Sequence, residues 1–137
     1  MKTERRRRTM KKIGIILAIA LAAAVGAGFI AFASITRSLE DLAKSEIGSV
    51  DLSAAKDGVY EGRFDSAPIK VVLKVEVKDG RISDILILEH RNGKGKAGEG
   101  VAERIIAEQR VDVDAVGGAT YSSKAIALAV KRAIQGN

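Results

Sequence analysis

The sequence predicts an α+β domain, a mainly antiparallel sheet covered by two helices, preceded by one N-terminal transmembrane helix. Three observations carry this. A charge-free run of 21 residues occupies positions 13–33, long enough to cross the hydrocarbon core of a bilayer as a helix. Apolar residues alternate along 69–77 and stop before Asp79-Gly80, a dipeptide that favours a two-residue hairpin. Near the C-terminus, Ala125, Ile126, Ala129, Val130, Ala133 and Ile134 recur at helical spacing.

The charge is placed as unevenly as the hydropathy. The chain of 137 residues has a formal charge of +6. Lys2, Arg5, Arg6, Arg7, Arg8, Lys11 and Lys12 supply seven of its 23 basic residues, Glu4 supplies one of its 17 acidic ones, and 16 of each remain. The part beyond Lys12 is therefore neutral and offers no electrostatic footprint for DNA or RNA. Aromatics make up 4% of the chain, too few for base-stacking platforms. Nucleic acid is not an expected partner.

Basic residues before an apolar span hold that end in the cytoplasm, so the residues after Ser34 are expected outside it. Ala31-Phe32-Ala33 also fits the small-x-small pattern of a signal-peptide cleavage site, but the apolar run exceeds the roughly 7–15 residues of the usual signal core. We therefore read a basic cytoplasmic segment (1–12), a retained signal anchor (13–33), a linker (34–57) and a folded domain of 80 residues (58–137). The expected location is the cell membrane, single-pass, with the C-terminal domain outside the cytoplasm. The chain has no cysteine, which excludes disulfides, thiolate metal sites and cysteine nucleophiles. Redox chemistry would need an organic cofactor.

Within the folded domain, 59–64 reads as a short strand whose Gly62 suggests a bulge. Residues 69–77 present Ile69, Val71, Leu73, Val75 and Val77 on one face and Lys70, Lys74 and Glu76 on the other. The next strand, 81–88, holds Ile82 and the apolar run 85–88. A glycine-rich loop (90–100) follows, then a helix over 97–110 with Val101, Ile105 and Ile106 or Ala102 buried. Residues 111–116 read as a short strand. The last helix starts near Ser122 or Ser123 and ends by Gly136, with Lys131 and Arg132 placed favourably for its dipole.

The stretch 114–123, DAVGGATYSS, combines two glycines with three hydroxyls at a helix start. Gly117 and Gly118 permit a sharp turn or a close backbone approach. Thr120, Ser122 and Ser123 are N-cap candidates, and the free N–H groups of a helix start suit a phosphate. By local chemistry alone, an ordinary loop and capped helix explains the same residues.

Other candidates are weaker. Residues 93–98, GKGKAG, satisfy the dinucleotide fingerprint G-x-G-x-x-G. Three residues separate them from the preceding strand, that strand is committed to a hairpin, and too few elements remain for a doubly wound sheet. His90, the only histidine, lacks the partners of a triad or metal site. It reads as a solvated side chain, with contact to a ligand beside the glycine loop as the functional alternative. Asp112 and Asp114 would share a strand face, and the charges on both helices read as solvated faces.

Asp114-Ala115-Val116-Gly117-Gly118-Ala119-Thr120 resembles the flavinylation motif of FMN-binding domains, D-x-x-[S/T]-G-A-[T/S]. These domains are similar to the flavin-bearing subunits of sodium-translocating NADH:quinone reductase and the Rnf electron-transport complex, and some are anchored single domains. The likeness continues outside the motif: 57–62 resembles the family's opening strand, 77–82 its hairpin, Glu89-His90 its entry to the cofactor loop, and 111–133 its closing segment.

The resemblance implies FMN, joined through its phosphate to the Thr120 hydroxyl by a separate flavin transferase that uses FAD and magnesium. It makes Asp114 the first motif position and gives Gly118 and Ala119 the small backbone that admits the phosphate. Tyr121, Ser122, Ser123 and His90 complete the expected cofactor-binding set, with no catalytic residue and no metal ligand assigned. Gly117 departs from the family's Ser or Thr.

The expected function is a membrane-anchored electron carrier more than a stand-alone enzyme. Its redox partners would be proteins or a quinone-linked membrane complex. The alternatives are a flavin-free anchored module binding a cell-envelope partner and, more weakly, a nucleotide-binding oxidoreductase using loop 93–98.

Overall fold

The computed structural model describes residues 2–91 and 96–136, and the chain divides into two compact units, 1–37 and 38–137. Helix α1 (Lys2–Lys44) forms the first, and its last turns open the second. Across the apolar run its large side chains are exposed, from Ile13 at 51% to Phe29 at 73%. The helix is long and apolar enough to cross a membrane, with a mean hydropathy of 2.6 over its most apolar window. Length and composition are what it offers toward an anchor.

In the second unit the described residues form a three-stranded antiparallel sheet in the order β1 (Gly58–Ser66), β2 (Ile69–Lys78), β3 (Arg81–Arg91). Asp79 and Gly80 join β2 to β3 with φ of 53° and 69°, the left-handed pair that a two-residue hairpin turn needs. Ala67 and Pro68, linked by a cis peptide, join β1 to β2.

The alternation read along β2 is borne out. Ile69, Val71, Leu73, Val75 and Val77 are all buried, whereas Lys74, Glu76 and Lys78 are exposed. Each such burial removes roughly 1.5–3 kcal/mol worth of apolar surface from water. Phe64 and half-buried Tyr60 of β1, with Ile82 and Ile85 of β3, continue this inner face.

Helix α3 (Thr120–Gln135) covers β1 and β2, and α2 (Val101–Glu108) packs beside it over β3. The expected stripe of α3 is buried at Ala125, Ile126, Ala129, Val130 and Ala133, with Ile134 partly buried against the core. Ala127 is buried as well. Gly136 ends the helix at φ 74°, its N–H bonded to the Arg132 carbonyl at 3.1 Å, a common left-handed terminus. α2 buries Val101, Ala102 and Ile105 after a 3-10 turn over Lys96–Gly100, so the α-helical part is shorter than predicted. Leu42 and Ile47 also enter this core.

Two local expectations are corrected. Gly62 pairs in regular register with Leu73 and makes no bulge. A β-carbon on Gly62 would lie 2.0 Å from the Ala129 carbonyl oxygen and 2.9 Å from the Ala133 β-carbon, so its glycine lets α3 lie close to β1. The irregularities fall between β2 and β3, where Leu88 and Ser83 are skipped in the pairing. The skipped Ser83 keeps Ile82 and Ile85, three residues apart, on the inner face, while ordinary alternation turns Leu86 and Leu88 outward at 54% and 50% exposure.

The segment 111–116 is not a strand. Val111 and Val113 are buried and Asp112 and Asp114 exposed, as in a strand. Two of its carbonyls, however, are taken by a side chain: Arg104 Nη1 donates to Asp114 O at 2.9 Å and to Ala115 O at 3.3 Å.

Candidate functional site

The motif folds as a turn feeding directly into α3. Ala119 N–H donates to the Val116 carbonyl at 2.9 Å, closing a four-residue turn around Gly117 and Gly118. Gly118, third in the turn, has φ 76°, the conformation for which glycine is favoured at that position. Gly117 does not share that left-handed φ, and a β-carbon built on it meets no described atom within 4 Å. The missing hydroxyl at this position is thus not imposed by the backbone.

None of the three hydroxyls caps the helix. Ala119 is the cap residue, Thr120 is the first helical residue, and no side-chain cap is found among the described residues. The Ser123 N–H returns to the Ala119 carbonyl at 2.9 Å. Ser123 Oγ instead accepts the Val116 N–H at 3.0 Å, stitching the turn to the helix from inside. Ser122 and Ser123 are 3% and 1% exposed, whereas Thr120 and Tyr121 are exposed.

The buried serines have a structural cause. A β-carbon on Gly98 would stand 2.6 Å from Ser122 Cβ and 3.1 Å from Ser123 N, so this glycine brings the 3-10 turn against the first turn of α3. Gly93 and Gly95 of the glycine-rich loop lie outside the described residues. One position beyond Gly98, Glu99 Oε1 is 2.9 Å from His90 Nδ1 at the end of β3. The His90 side chain is 2% exposed, which corrects the expectation of a solvated histidine. Its described neighbour is a carboxylate in the turn that packs on Ser122.

A cavity of about 580 Å³ lies beside the motif. One side is the segment 44–48 and the other is 112–115, with Ser123 and Lys124 completing the lining. Lys124 Nζ donates to the carbonyls of Ala43 and, at 2.9 Å, Ser45. Lys131 Nζ donates to Ile47 O at 2.6 Å. Sequence reading missed Arg104 and Lys124, and gave Lys131 a part in the helix dipole but not its bond to Ile47 O. Only Lys124 carried a signal, since it lies four residues after Thr120 and so shares its helix face.

The open first turn of a 16-residue helix presents N–H groups and the positive end of a dipole, which suits an anion such as a phosphate. The exposed Thr120 hydroxyl sits at that end, and the space beside Gly117 and Gly118 is clear of described atoms. These residues fit the phosphate of FMN. No grouping of three or more His, Asp or Glu side chains able to hold a metal occurs among the described residues. Among the described residues the sheet is antiparallel throughout and has no parallel strand of the kind a dinucleotide-binding fold needs.

Comparison with known proteins agrees with this geometry. An uncharacterized protein of Treponema pallidum (strain Nichols) is 37% identical over 83 residues, covering 58% of this chain and 23% of that protein. The chain thus spans about a quarter of the length of the relative it matches. The sequence model of the FMN-binding domain matches residues 66–135, just over half of the chain, from the end of β1 to the last residue of α3. The chain belongs to the FMN-binding domain family.

Proposed function

We propose that this protein is a membrane-anchored electron carrier whose FMN is joined to Thr120 and works outside the cytoplasm. The observation that supports it best is the exposed Thr120 hydroxyl on the uncapped first turn of α3, behind a turn built on Gly118. Bound FMN supplies one- and two-electron redox chemistry that cysteine-free protein side chains do not.

In the attachment step the Thr120 hydroxyl attacks the flavin-side phosphorus of FAD on a flavin transferase. An Oγ1–P bond forms, the pyrophosphate P–O bond breaks, AMP leaves and the hydroxyl proton is released. The residues of this chain would then hold the product: first-turn N–H groups would bind its phosphate, Gly118 keeps the approach free of a side chain, and Ser123 keeps the turn closed. Asp114 opens the motif, its carbonyl held by Arg104. The exposed Tyr121 follows Thr120 on the same turn. His90, with Glu99, belongs to the support of that turn.

A covalent phosphoester keeps the cofactor from diffusing away from a domain outside the cytoplasm. The basic flank of α1 supports that sidedness. Redox protein partners, or a quinone-linked membrane complex, would supply and remove the electrons.

Coexpression with a flavin transferase, followed by a denaturing gel read for flavin fluorescence, tests the reading. Wild type is expected to give a fluorescent band and Thr120→Ala a dark one. A fluorescent Thr120→Ala band removes the attachment site, and a wild type colourless in its native state removes FMN binding. The intact mass of membrane-extracted protein shows whether the residues before Ser34 are retained.

A further inference from the structure

We infer that Arg104 is a positioning residue for flavin transfer to this chain: from α2 it fixes the backbone that leads into the Thr120 turn, and so sets how often a transferase meets the hydroxyl in place. The inference rests on the reading of Thr120 as the attachment position.

The residues before the turn lack the usual means of holding a backbone. Among the described residues no strand pairs with 111–116. Val111 and Val113 are buried, but the next buried residue is Ala119. Between them Asp114, Gly117 and Gly118 are exposed, and Ala115 and Val116 are half-buried. Apolar burial thus fixes the two ends of this stretch and leaves its middle to polar contacts, with two glycines there to widen its freedom.

Those contacts converge on one peptide unit. Its oxygen, Ala115 O, accepts from Arg104 Nη1 at 3.3 Å, and its N–H, on Val116, donates to Ser123 Oγ at 3.0 Å. The same Nη1 donates to Asp114 O at 2.9 Å, one peptide earlier. A different helix holds the unit at each end, α2 through Arg104 and α3 through Ser123. The next carbonyl, Val116 O, closes the turn by accepting from Ala119 N–H at 2.9 Å. A rotation of the Ala115–Val116 peptide is therefore passed through that turn to Thr120, the first residue of α3.

Arg104 itself is exposed, whereas Val101, Ala102 and Ile105 seat α2 in the core. Its loss removes a strap and leaves the packing, a surface change of small effect on stability. The effect on transfer is larger. A turn that samples other conformations is engaged in proportion to its competent fraction, and its apparent affinity falls by that fraction.

Both bonds leave one nitrogen, so a lysine ammonium with three donors can replace them, whereas methionine cannot. Full-length wild type, Arg104→Met and Arg104→Lys, purified in detergent without flavin, are incubated with a flavin transferase, FAD and magnesium, which transfers the FMN moiety and releases AMP. Initial rates of in-gel flavin fluorescence at varied acceptor concentration give kcat and KM. Tm and hydrogen exchange at the Val116 N–H are read on the same flavin-free proteins.

Arg104→Met is expected to lose roughly tenfold or more in kcat/KM through a rise in KM, with faster exchange at Val116 and a Tm within a few degrees of wild type. Arg104→Lys is expected to recover most of the loss. Unchanged kcat/KM in Arg104→Met overturns the inference and leaves the attachment reading standing. Equal losses in both variants place the guanidinium against the transferase instead, and a Tm low enough to unfold Arg104→Met at the assay temperature makes it a folding residue; either result overturns the assignment. A wild type that gains no flavin, or a Thr120→Ala that does, removes the reading on which the inference rests.

Discussion

Replacing Gly62 by alanine tests how closely α3 lies on the sheet. In an open strand that change would stabilise by roughly 0.5–1 kcal/mol, because glycine loses more backbone freedom on folding. Here the added β-carbon would stand 2.0 Å from the Ala129 carbonyl oxygen and 2.9 Å from the carbonyl carbon. Ordinary contact needs more than an ångström beyond the shorter of these. The obstruction is helix backbone, which cannot rotate aside, so α3 has to lift from β1 and loosen the contacts of Ala129, Ala133 and Phe64.

Overpacking of this kind typically costs about 1–3 kcal/mol, so the net loss is about 1–2 kcal/mol. For a unit of this size each kcal/mol moves Tm by roughly 4–8 °C, which gives a fall of about 5–15 °C. Thermal unfolding followed by circular dichroism, on the full-length protein in detergent, reads the shift. Gly62→Ala with a Tm equal to or above that of wild type would refute the packing of α3 over β1.

Three further outcomes are expected. Gly117→Ser, with no described atom within 4 Å of the new β-carbon, should leave Tm unchanged or raise it slightly, and a fall would refute the open geometry of the turn. Gln109→Ala removes an amide that accepts from Ile82 N–H at 2.9 Å and donates to Ile82 O at 2.8 Å and Ile106 O at 2.7 Å. About 1–3 kcal/mol of stability should go with it, since partly buried backbone groups lose their partners, and hydrogen exchange at Ile82 should accelerate. Lys70, 2.8 Å from the Glu89 carboxylate, holds that carboxyl below its usual range by hydrogen bonding and charge. Its small stabilisation is present above the unfolded pKa and is lost as pH falls through the folded value, and Lys70→Met should move the Glu89 midpoint upward in a carboxyl NMR titration.

The parts of the fold that were legible in the sequence are those whose signal is local. The β2–β3 hairpin follows from alternation plus Asp79-Gly80, and the buried face of α3 from its period. What escaped depended on partners distant along the chain. Gly62 looked like a bulge because the need for glycine arises from Ala129 and Ala133, some 70 residues later. Residues 111–116 alternate like a strand, but Arg104 takes two carbonyls that a neighbouring strand would have used. His90 read as solvated because nothing in its neighbourhood of sequence announced Glu99 as the group it would meet in a buried position.

The same distinction between local and distant partners bears on the three hydroxyls of the motif. From the sequence, Thr120, Ser122 and Ser123 are equivalent candidates for a helix cap. The fold gives two of them other work: Gly98 presses the 3-10 turn onto Ser122, and Ser123 Oγ takes the Val116 N–H. Closing the turn from the inside leaves the helix start without a side-chain cap on the outside, where an anion can supply the missing acceptors. Thr120 is the hydroxyl exposed at that end. The proposed attachment site therefore depends on residues that need not touch a cofactor, because burying Ser122 and Ser123 is what leaves both an open helix terminus and an exposed threonine in one turn of α3.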